Sequence, residues 1–241
     1  PLPAQRVPTL RVDRHFWLER WRTGRIGFQQ EAANPYLARY WNRVGAPASG
    51  IVFVPLAGKS VDMRWLAERG HEVIGVELSD IAVRAFFEEW GVEPDVRGGD
   101  GLRAYSSATT TLYRGDFFDL KLRHLGGSGV VGGRIAVYDR ASLISMPKEM
   151  RERYAQHLLE LLAAGRRLTG MLLVPLEYPQ EQMEGPPFSV DQDEVHTLFG
   201  PALQVECLCR DDVLDENERF RDRGLSQLHE CVYVLTPAVP S

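Results

Sequence analysis

The chain has few of the features that mark secreted, membrane-spanning or nucleic-acid-binding proteins. Its 241 residues include three cysteines, and such a low, odd count is typical of a reducing compartment. No apolar run is long enough to cross a bilayer, and the amino-terminal stretch lacks the apolar core of a secretory signal. The formal net charge of −5 argues against nucleic-acid and anionic membrane surfaces. We therefore expect a cytoplasmic protein without a nucleic-acid or membrane partner.

Metal-binding signatures are also missing. The six histidines are scattered along the chain without the spacing of a zinc site. Cys207 and Cys209 form a C-x-C pair, but no second pair of ligands lies near them in the sequence, and both fit a structural role. We therefore expect no metal ion, and we expect no histidine to act as a catalytic base.

What the chain contains instead is an alternation of strand-like and helix-like segments. With 44% hydrophobic and 25% charged residues, it has the composition of an ordinary globular domain. The alternation predicts a single α/β domain with a doubly wound sheet. Predicted strands cover residues 51–54, 73–77, 94–97, 110–113, 133–138, 167–174, 203–208 and 229–235, and predicted helices cover residues 15–24, 34–40, 60–68, 80–90, 148–164 and 192–199.

Residues 50–80 have the order of a nucleotide-binding unit. An apolar strand meets a turn of small residues at Ala57 and Gly58, an amphipathic helix follows, and a second apolar strand ends at Glu77. About 20 residues separate the turn glycine from the carboxylate, as in Rossmann-type sites. A carboxylate at the end of the second strand can accept both hydroxyls of a ribose. The segment therefore predicts a site for an adenosine-bearing cofactor.

The turn itself, PLAGKS, restricts which cofactor this is. A dinucleotide pyrophosphate calls for three spaced glycines, and this turn has one. A phosphate-binding loop that ends in GKS would need its first glycine at position 53, where the chain has Phe53. A donor without phosphates, such as S-adenosylmethionine, needs only a turn that lets the backbone come close. A dehydrogenase is therefore disfavoured.

The second half of the chain adds two features. Residues 176–190 contain three prolines and a glycine, too many breakers for a regular element, and a loop this long in a compact domain is more often functional than idle. The last two predicted strands are joined by a loop rather than by a crossover helix, which indicates an antiparallel pair. We expect a mostly parallel sheet with an antiparallel C-terminal strand and helices on both faces.

Five blocks of sequence follow one another along the chain. They are FWLERWRTGRIGFQQ, PLAGKSVDMRWLAERGHEVIGVELS, GDFFDL, YDRASLISMP, and GPPFSV with the helix that ends in LFG. In this order they resemble the thiopurine S-methyltransferase family of class I S-adenosylmethionine-dependent methyltransferases. The resemblance extends from residue 15 to residue 235. Two positions depart from the family pattern. Ala57 replaces the usual cysteine, and Gln29 replaces the histidine of GFHQ, which leaves the acceptor preference open.

The resemblance implies transfer of a methyl group from S-adenosylmethionine to sulfur, with S-adenosylhomocysteine as the product. It implies no catalytic acid or base, because alignment and exclusion of water carry the reaction. Arg140 either orients the donor carboxylate or stabilises an acceptor thiolate, and an ion pair with Asp139 is the alternative. The residues carried over as cofactor contacts are Trp21, Leu56, Glu77, Asp116, Phe117 and Arg140, with Phe28 and Arg219 on the acceptor side.

The resemblance also implies the acceptor and the organisation of the domain. The acceptor is a thiopurine or another small aromatic thiol, or a selenium or tellurium species in a detoxification role. A related halide or thiol methyltransferase, and a non-catalytic module that only binds the donor, are the alternatives. The enzyme is expected to be a monomer. Residues 1–14 are expected to form a flexible leader, and residues 15–45, with glycines that can act as a hinge, a helical lid.

Overall fold

The computed structural model describes residues 12–98, 101–126, 133–163 and 167–238. Most of the predicted leader, residues 1–11, lies outside this described part. The strands are β1 Ile51–Val54, β2 Glu72–Glu77, β3 Asp95–Arg97, β4 Arg103–Ser107, β5 Thr110–Arg114, β6 Arg134–Arg140, β7 Arg167–Val174, β8 Leu176–Glu177, β9 Leu203–Asp212 and β10 His229–Pro237. The helices are α1 Arg14–Arg22, α2 Pro35–Tyr40, α3 Val61–Ala67, α4 Asp80–Trp90, α5 Lys148–Ala163, α6 Gln192–Phe199 and α7 Glu218–Arg221.

One mixed sheet contains all of these strands. Its centre is parallel, in the order β5-β2-β1-β6-β7. The chain runs outward from β1 on one side and returns to the other side at β6, so the topological switch point lies between β1 and β6. Ligands of open α/β sheets bind at the carboxyl ends of the strands at this point. β10 runs antiparallel to β7, and β9 pairs antiparallel with β10. The predicted fold class is confirmed.

The helices cover both faces of the sheet because the central strands are apolar on both sides. Phe53 of β1 belongs to an apolar cluster that includes residues of α5 and α6. Its neighbour Val52 belongs to a second cluster, on the other face, with residues of α2, α3 and α4. Successive side chains of a strand point to opposite faces, and strands buried on both faces read as continuous apolar runs. The run IVFV therefore forms the middle of the core.

The edge of the sheet beyond β5 departs from the sequence prediction. β4 was not predicted, and it pairs antiparallel with both β3 and β5. The β4–β5 hairpin turns at Ala108, which has a φ of +45°. Two-residue hairpins are usually signalled by Asn-Gly or a similar pair, which tolerates positive φ. The dipeptide Ala-Thr at this turn gives no such signal, so the hairpin could not be predicted from the turn residues.

The segment after β7 brings two prolines to the end of the sheet. β8 and a one-turn helix, Gln180–Gln182, interrupt the region that was predicted to be irregular. Phe188 donates its backbone N–H to the carbonyl of Ile144 at 2.7 Å, and Val190 donates to Leu176 at 2.8 Å. These bonds fix Pro186 and Pro187 over the carboxyl end of β6.

The amino-terminal helices begin with side-chain caps. The Asp13 carboxylate accepts from the N–H of Phe16, and Val12 is buried, so the last residues of the predicted leader are anchored to the fold. Asn34 caps α2 by accepting from the N–H groups of Tyr36 and Leu37. α2 and the one-turn helix Trp41–Val44 pack into the core on the face of α3 and α4. No described helix has the length and apolar character needed to span a membrane.

Candidate functional site

A cavity of about 310 Å³ opens at the carboxyl ends of β1, β2 and β6, at the switch point of the sheet. This volume lies at the lower end of the range for small-molecule sites. Its lining comes from the turn after β1, the end of β2, the end of β6, α1 with the segment that follows it, the prolines at 186 and 187, and the region of α7. The position agrees with the rule for open α/β sheets.

The turn after β1 exposes backbone to the cavity. Leu56 has a φ of +42° and Gly58 a φ of +57°, both in the left-handed region. Ala57 donates its N–H to the carbonyl of Val76 at 2.9 Å, which ties the turn to β2. A left-handed conformation costs a non-glycine residue free energy, and such strain concentrates at functional sites. Ala141, which follows β6 across the cavity, also has a positive φ, +67°.

Glu77 ends β2 with its carboxylate at the cavity wall. The side chain is 7% exposed. One oxygen accepts from the N–H of Ser79 at 2.7 Å and the other from the N–H of Gly58 at 3.0 Å. Each oxygen keeps a free lone pair, so the carboxylate can accept two further hydroxyl groups. Burial raises the pKa of Glu77 to about 7, against the lowering effect of the backbone donors.

This raised pKa predicts that binding of S-adenosylhomocysteine depends on pH. A carboxylate accepts two ribose hydroxyls better than a carboxylic acid does, and Glu77 of the free protein becomes ionised only near pH 7. Affinity should therefore rise about tenfold from pH 6 to pH 8. Calorimetry at the two pH values, in buffers of different ionisation enthalpy, should also detect a proton released on binding at pH 6. Equal affinities, or the same dependence in Glu77→Gln, would contradict this.

An aromatic wall covers one side of the cavity. The Phe28 ring meets Trp17 and Trp21 edge to face, with centroids 5.8 Å apart in both pairs. Both tryptophans line the cavity, and Trp21 is buried. Aromatic faces attract cations, including sulfonium-type centres. Trp17 was not among the predicted site residues, because its helical spacing from Trp21 is also that of ordinary core packing.

Arg140 ends β6 and reaches across the cavity to this wall. Its Nη1 donates to the backbone carbonyl of Phe28 at 3.3 Å. Its Nε is buried and has no hydrogen-bond partner among the described residues. The alternative of an ion pair with Asp139 is wrong for this structure, since Asp139 is buried and accepts from the Tyr154 hydroxyl at 2.6 Å. Arg140 therefore faces the cavity without an ion pair in the described part of the chain, although its charge lowers the pKa of the nearby Glu230.

Gln29, which replaces the family histidine, lies over the turn after β1. A Cβ placed on Gly58 would come within 2.3 Å of the Gln29 Nε2 and within 3.3 Å of the Trp21 ring. Glycine at this position therefore leaves room for the Gln29 carboxamide beside the turn. The Gln29 carboxamide therefore lies beside the same glycine whose N–H donates to Glu77.

Arginines from separate parts of the chain complete the rim. Arg219 of α7 donates to the backbone carbonyl of Gly27. Arg20 of α1 and Arg223, which follows α7, also line the cavity. Arg219 was among the predicted site residues, whereas Arg20 and Arg223 were not. More than 200 residues separate Arg20 from Arg223 in the chain, and no pattern in the sequence brings them together.

Asp116 and Phe117 lie beside the cavity and are not among the described residues that line it. They follow β5, the parallel neighbour of β2. The Asp116 carboxylate accepts from the N–H of Phe118 at 3.0 Å and caps a one-turn helix. Phe117 is buried, stacked on Phe53 with centroids 6.5 Å apart. Both side chains thus serve capping and packing in this structure.

The residues present suit an adenosine-bearing sulfonium donor. The cavity combines a carboxylate with free acceptor capacity, close backbone at a turn, and ring faces. In the described part of the chain, no group of His, Cys, Asp and Glu side chains could hold a metal ion.

Comparison with known proteins agrees with this geometry. The sequence model of a family described as Thiopurine S-methyltransferase (TPMT) matches residues 12–238. A Thiopurine S-methyltransferase from Bordetella petrii is 44% identical over 224 residues, which cover 93% of this chain and 98% of that protein. One from Pseudomonas paraeruginosa is 47% identical over 220 residues, which cover 91% and 97% of the two chains.

Solved structures with much lower identity share the fold. A Burkholderia thailandensis 1,6-didemethyltoxoflavin-N1-methyltransferase, solved with S-adenosylhomocysteine, matches with a TM-score of 0.60 at 17% identity, covering 95% of this chain and 88% of that one. An Anabaena variabilis SAM-dependent methyltransferase matches with a TM-score of 0.60 at 13% identity, covering 93% and 94%. The family model and the curated relatives agree over almost the whole length. The chain therefore belongs to the thiopurine S-methyltransferase family, and S-adenosylmethionine is its methyl donor.

Proposed function

We propose that this methyltransferase transfers a methyl group to the sulfur of a small aromatic thiol, such as a thiopurine. The observation that carries the proposal is the position of Glu77. Its carboxylate is fixed by two backbone donors at the end of β2 and faces a cavity whose other walls are aromatic rings and guanidinium groups. This arrangement provides one place for a ribose, ring faces for a cation, and positive charge for a thiolate.

The donor side of the cavity consists of the Glu77 carboxylate, the turn at Leu56 and Trp21. Glu77 would accept the two ribose hydroxyls, and the left-handed turn would let the chain approach the donor closely. When bound, S-adenosylmethionine supplies the methyl of its sulfonium, which bonds to the acceptor sulfur while the electron pair of the broken bond stays on the donor sulfur. The position of Asp116 and Phe117 after β5, beside β2, supports the proposal that they flank the adenine.

The acceptor side consists of Phe28, Arg140 and Arg219. The ring of Phe28 offers an apolar face for a flat acceptor. A guanidinium near the sulfur favours the thiolate over the thiol and so lowers the pKa of the acceptor. The thiol proton can leave to solvent before the reaction, so none of these residues has to act as a base. Alignment within a water-poor cavity supplies the remainder of the rate enhancement.

The amino-terminal region fits a lid, as proposed for residues 15–45. Its first part, α1 and the segment to Gln29, lies over the cavity, whereas the part from α2 onward is packed on the sheet. The carbonyl groups of Gly27 and Phe28 each accept from an arginine of the opposite wall. Release of these two contacts would let the segment open at Gly24 and Gly27 and admit the acceptor.

Arg140→Gln should slow methyl transfer to a thiophenol and move its pH profile. Loss of the guanidinium removes a charge that favours the thiolate, so the pH at which kcat is half maximal should rise by about one unit. Arg140→Lys should restore most of this shift, because it keeps the charge. The measurement is kcat against pH with labelled donor. A profile that stays in place in Arg140→Gln would show that Arg140 does not face the sulfur.

The test of the proposed function is a labelled methyl-transfer screen across acceptors. It should include thiopurines and thiophenols, together with selenite, tellurite and iodide for the detoxification role and for a halide methyltransferase. Transfer to thiols but not to iodide supports the proposal. Transfer to iodide alone supports the halide enzyme. Binding of S-adenosylhomocysteine without transfer to any acceptor supports a non-catalytic module that only binds the donor. Gln29 in place of the family histidine is the reason to test this alternative.

A further inference from the structure

Four arginine side chains line the cavity, although the protein as a whole is acidic. They are Arg20, Arg140, Arg219 and Arg223, and within the lining that the structure describes they face a single acidic residue, Glu77. The chain has a formal net charge of −5. The cavity therefore has an excess of positive side chains, although the net charge of the protein is negative.

The four guanidinium groups have no ion pair with a carboxylate in the described part of the chain. Arg140 and Arg219 donate to backbone carbonyls of the amino-terminal segment. Arg20 lies 5.3 Å from the centroid of the Phe16 ring, and its Nε is buried without a hydrogen-bond partner. Surface arginines of the same chain behave differently, since Arg84, for example, pairs with Asp80 at 2.6 Å.

The positive groups also lie near one another. The pKa of Arg219 is below its usual value because of desolvation and the charges of Arg140 and Arg223. The pKa of Arg20 is lowered by desolvation, then by the charges of Arg25 and Arg223. These effects indicate that Arg219 lies near both Arg140 and Arg223 and that Arg20 lies near Arg223, and we call the four arginines of the cavity lining the row. The positive charges of the four arginines repel one another when no anion is bound, and a bound anion reduces this repulsion.

We propose that Arg20 and Arg223 form an anion subsite in the cavity lining that selects acceptors carrying a carboxylate in addition to their sulfur. The inference rests on the proposed transfer to a thiol and names the class of thiol. Arg140 and Arg219, which donate to the carbonyl groups of Phe28 and Gly27, remain for the sulfur. A guanidinium offers a planar fork of donors that matches a carboxylate, and it is charged at every pH at which proteins are studied.

A neutral acceptor would leave most of the charge of the row uncompensated, because the carboxyl group of Glu230 interacts with Arg140 and with no other of the four arginines. The methyl donor adds a sulfonium charge, and Glu77 is the one acidic side chain in the described lining. A thiolate offsets one positive charge near Arg140. A carboxylate at the far end of the same acceptor offsets a second one, near Arg20 and Arg223. An acceptor with both groups therefore fits the charge of the cavity better than an unsubstituted thiophenol does.

Two acceptors of equal shape test this selection. In 4-mercaptobenzoate and 4-mercaptobenzamide the sulfur is the same distance from a charged or a neutral group. The protein should use the carboxylate about tenfold or more better in kcat/KM, as expected for hydrogen bonds between charged groups. Arg20→Gln and Arg223→Gln should each reduce this ratio severalfold. Arg221→Gln is the matched control, because Arg221 lies two residues before Arg223, is not part of the described lining of the cavity, and bonds to the carbonyl of Asp215.

A binding experiment separates this inference from the proposed function. Benzoate and benzamide carry no sulfur, so their binding to the protein loaded with S-adenosylhomocysteine does not depend on turnover. Tryptophan fluorescence should detect binding of benzoate but not of benzamide, with benzoate weaker in Arg223→Gln and at high salt. If no thiol is methylated but benzoate binds in this way, the proposed function fails and the subsite stands.

Two results would overturn the subsite. One is equal or better use of the amide, together with equal binding of benzoate and benzamide. The other is a carboxylate preference that persists unchanged in both Arg20→Gln and Arg223→Gln, which would place the recognition elsewhere. Arg223 is exposed, so the Arg223→Gln variant should fold, and its circular dichroism and Tm give the check.

Discussion

Glu77→Ala should weaken binding of S-adenosylhomocysteine at pH 8 by at least a hundredfold. The variant loses two acceptors for ribose hydroxyls, and hydrogen bonds to a charged group contribute about 1.5–3 kcal/mol each. The turn at Gly58 also loses the carboxylate that holds its N–H. Titration calorimetry of the variant against the unmodified protein measures the effect.

The stability of Glu77→Ala should change much less than its affinity. The substitution leaves two buried N–H groups without their acceptor, which is unfavourable. It also removes a buried carboxylate, and burial disfavours the ionised form, as the pKa of about 7 indicates. Loss of this buried charge is favourable for stability. At pH 8 the two effects oppose each other. A large fall in Tm together with lost binding would mean that Glu77 supports the fold rather than the donor, and that outcome would count against the site.

Asp62→Ala should have the largest effect on stability of the substitutions considered. Asp62 is buried at the start of α3, where one oxygen accepts from the N–H of Asn34 at 2.7 Å and the other from the Tyr138 hydroxyl at 2.9 Å. The variant strands two buried donors, at a cost of about 3 kcal/mol or more. For a protein of this size, Tm should fall by roughly 5–10 °C.

The bond to Asn34 gives this carboxylate a second role. Asn34 caps α2, so Asp62 joins the amino-terminal helices to α3 and, through Tyr138, to β6. Tyr138→Phe is the matched control, since it removes one donor and leaves the other bond intact, and it should cost only about 1 kcal/mol. Thermal and urea unfolding of both variants give the comparison. Equal losses in the two, or a Tm of Asp62→Ala close to that of the parent, would show that the network does not stabilise the fold.

The sequence predicted best the elements whose ends are set locally. β1, α4, β7 and α6 match their predicted ranges at both ends. In α4 the reason is visible, since Ser79 caps the first turn and Gly91 ends the helix in the left-handed conformation. β9 was predicted to stop at residue 208, but it continues through a polar stretch to Asp212, because β10 pairs with it along that length. Pairing of this kind is not visible in one segment alone.

The residues of the site also fall into those that local sequence predicts and those that only the tertiary fold brings together. Glu77 and Leu56 could be found because strand, turn, helix and strand follow each other within one short segment, and Arg140 because it ends a strand near the switch point. Arg20 and Arg223 could not, because their proximity depends on how α1 and the region of α7 close over the sheet. The resemblance places Asp116 and Phe117 beside the adenine, and this stays a prediction. The structure shows that Asp116 caps a one-turn helix and that Phe117 is buried.

The most direct test of the account is the site of methylation in the product. We would incubate the protein with 6-mercaptopurine and S-adenosylmethionine carrying a labelled methyl group, and locate the label by nuclear magnetic resonance. The account predicts label on sulfur, and loss of product in Glu77→Ala. Label on a ring nitrogen, or unchanged product formation in Glu77→Ala, would contradict the claim that this cavity binds the donor at Glu77 and directs its methyl group to sulfur.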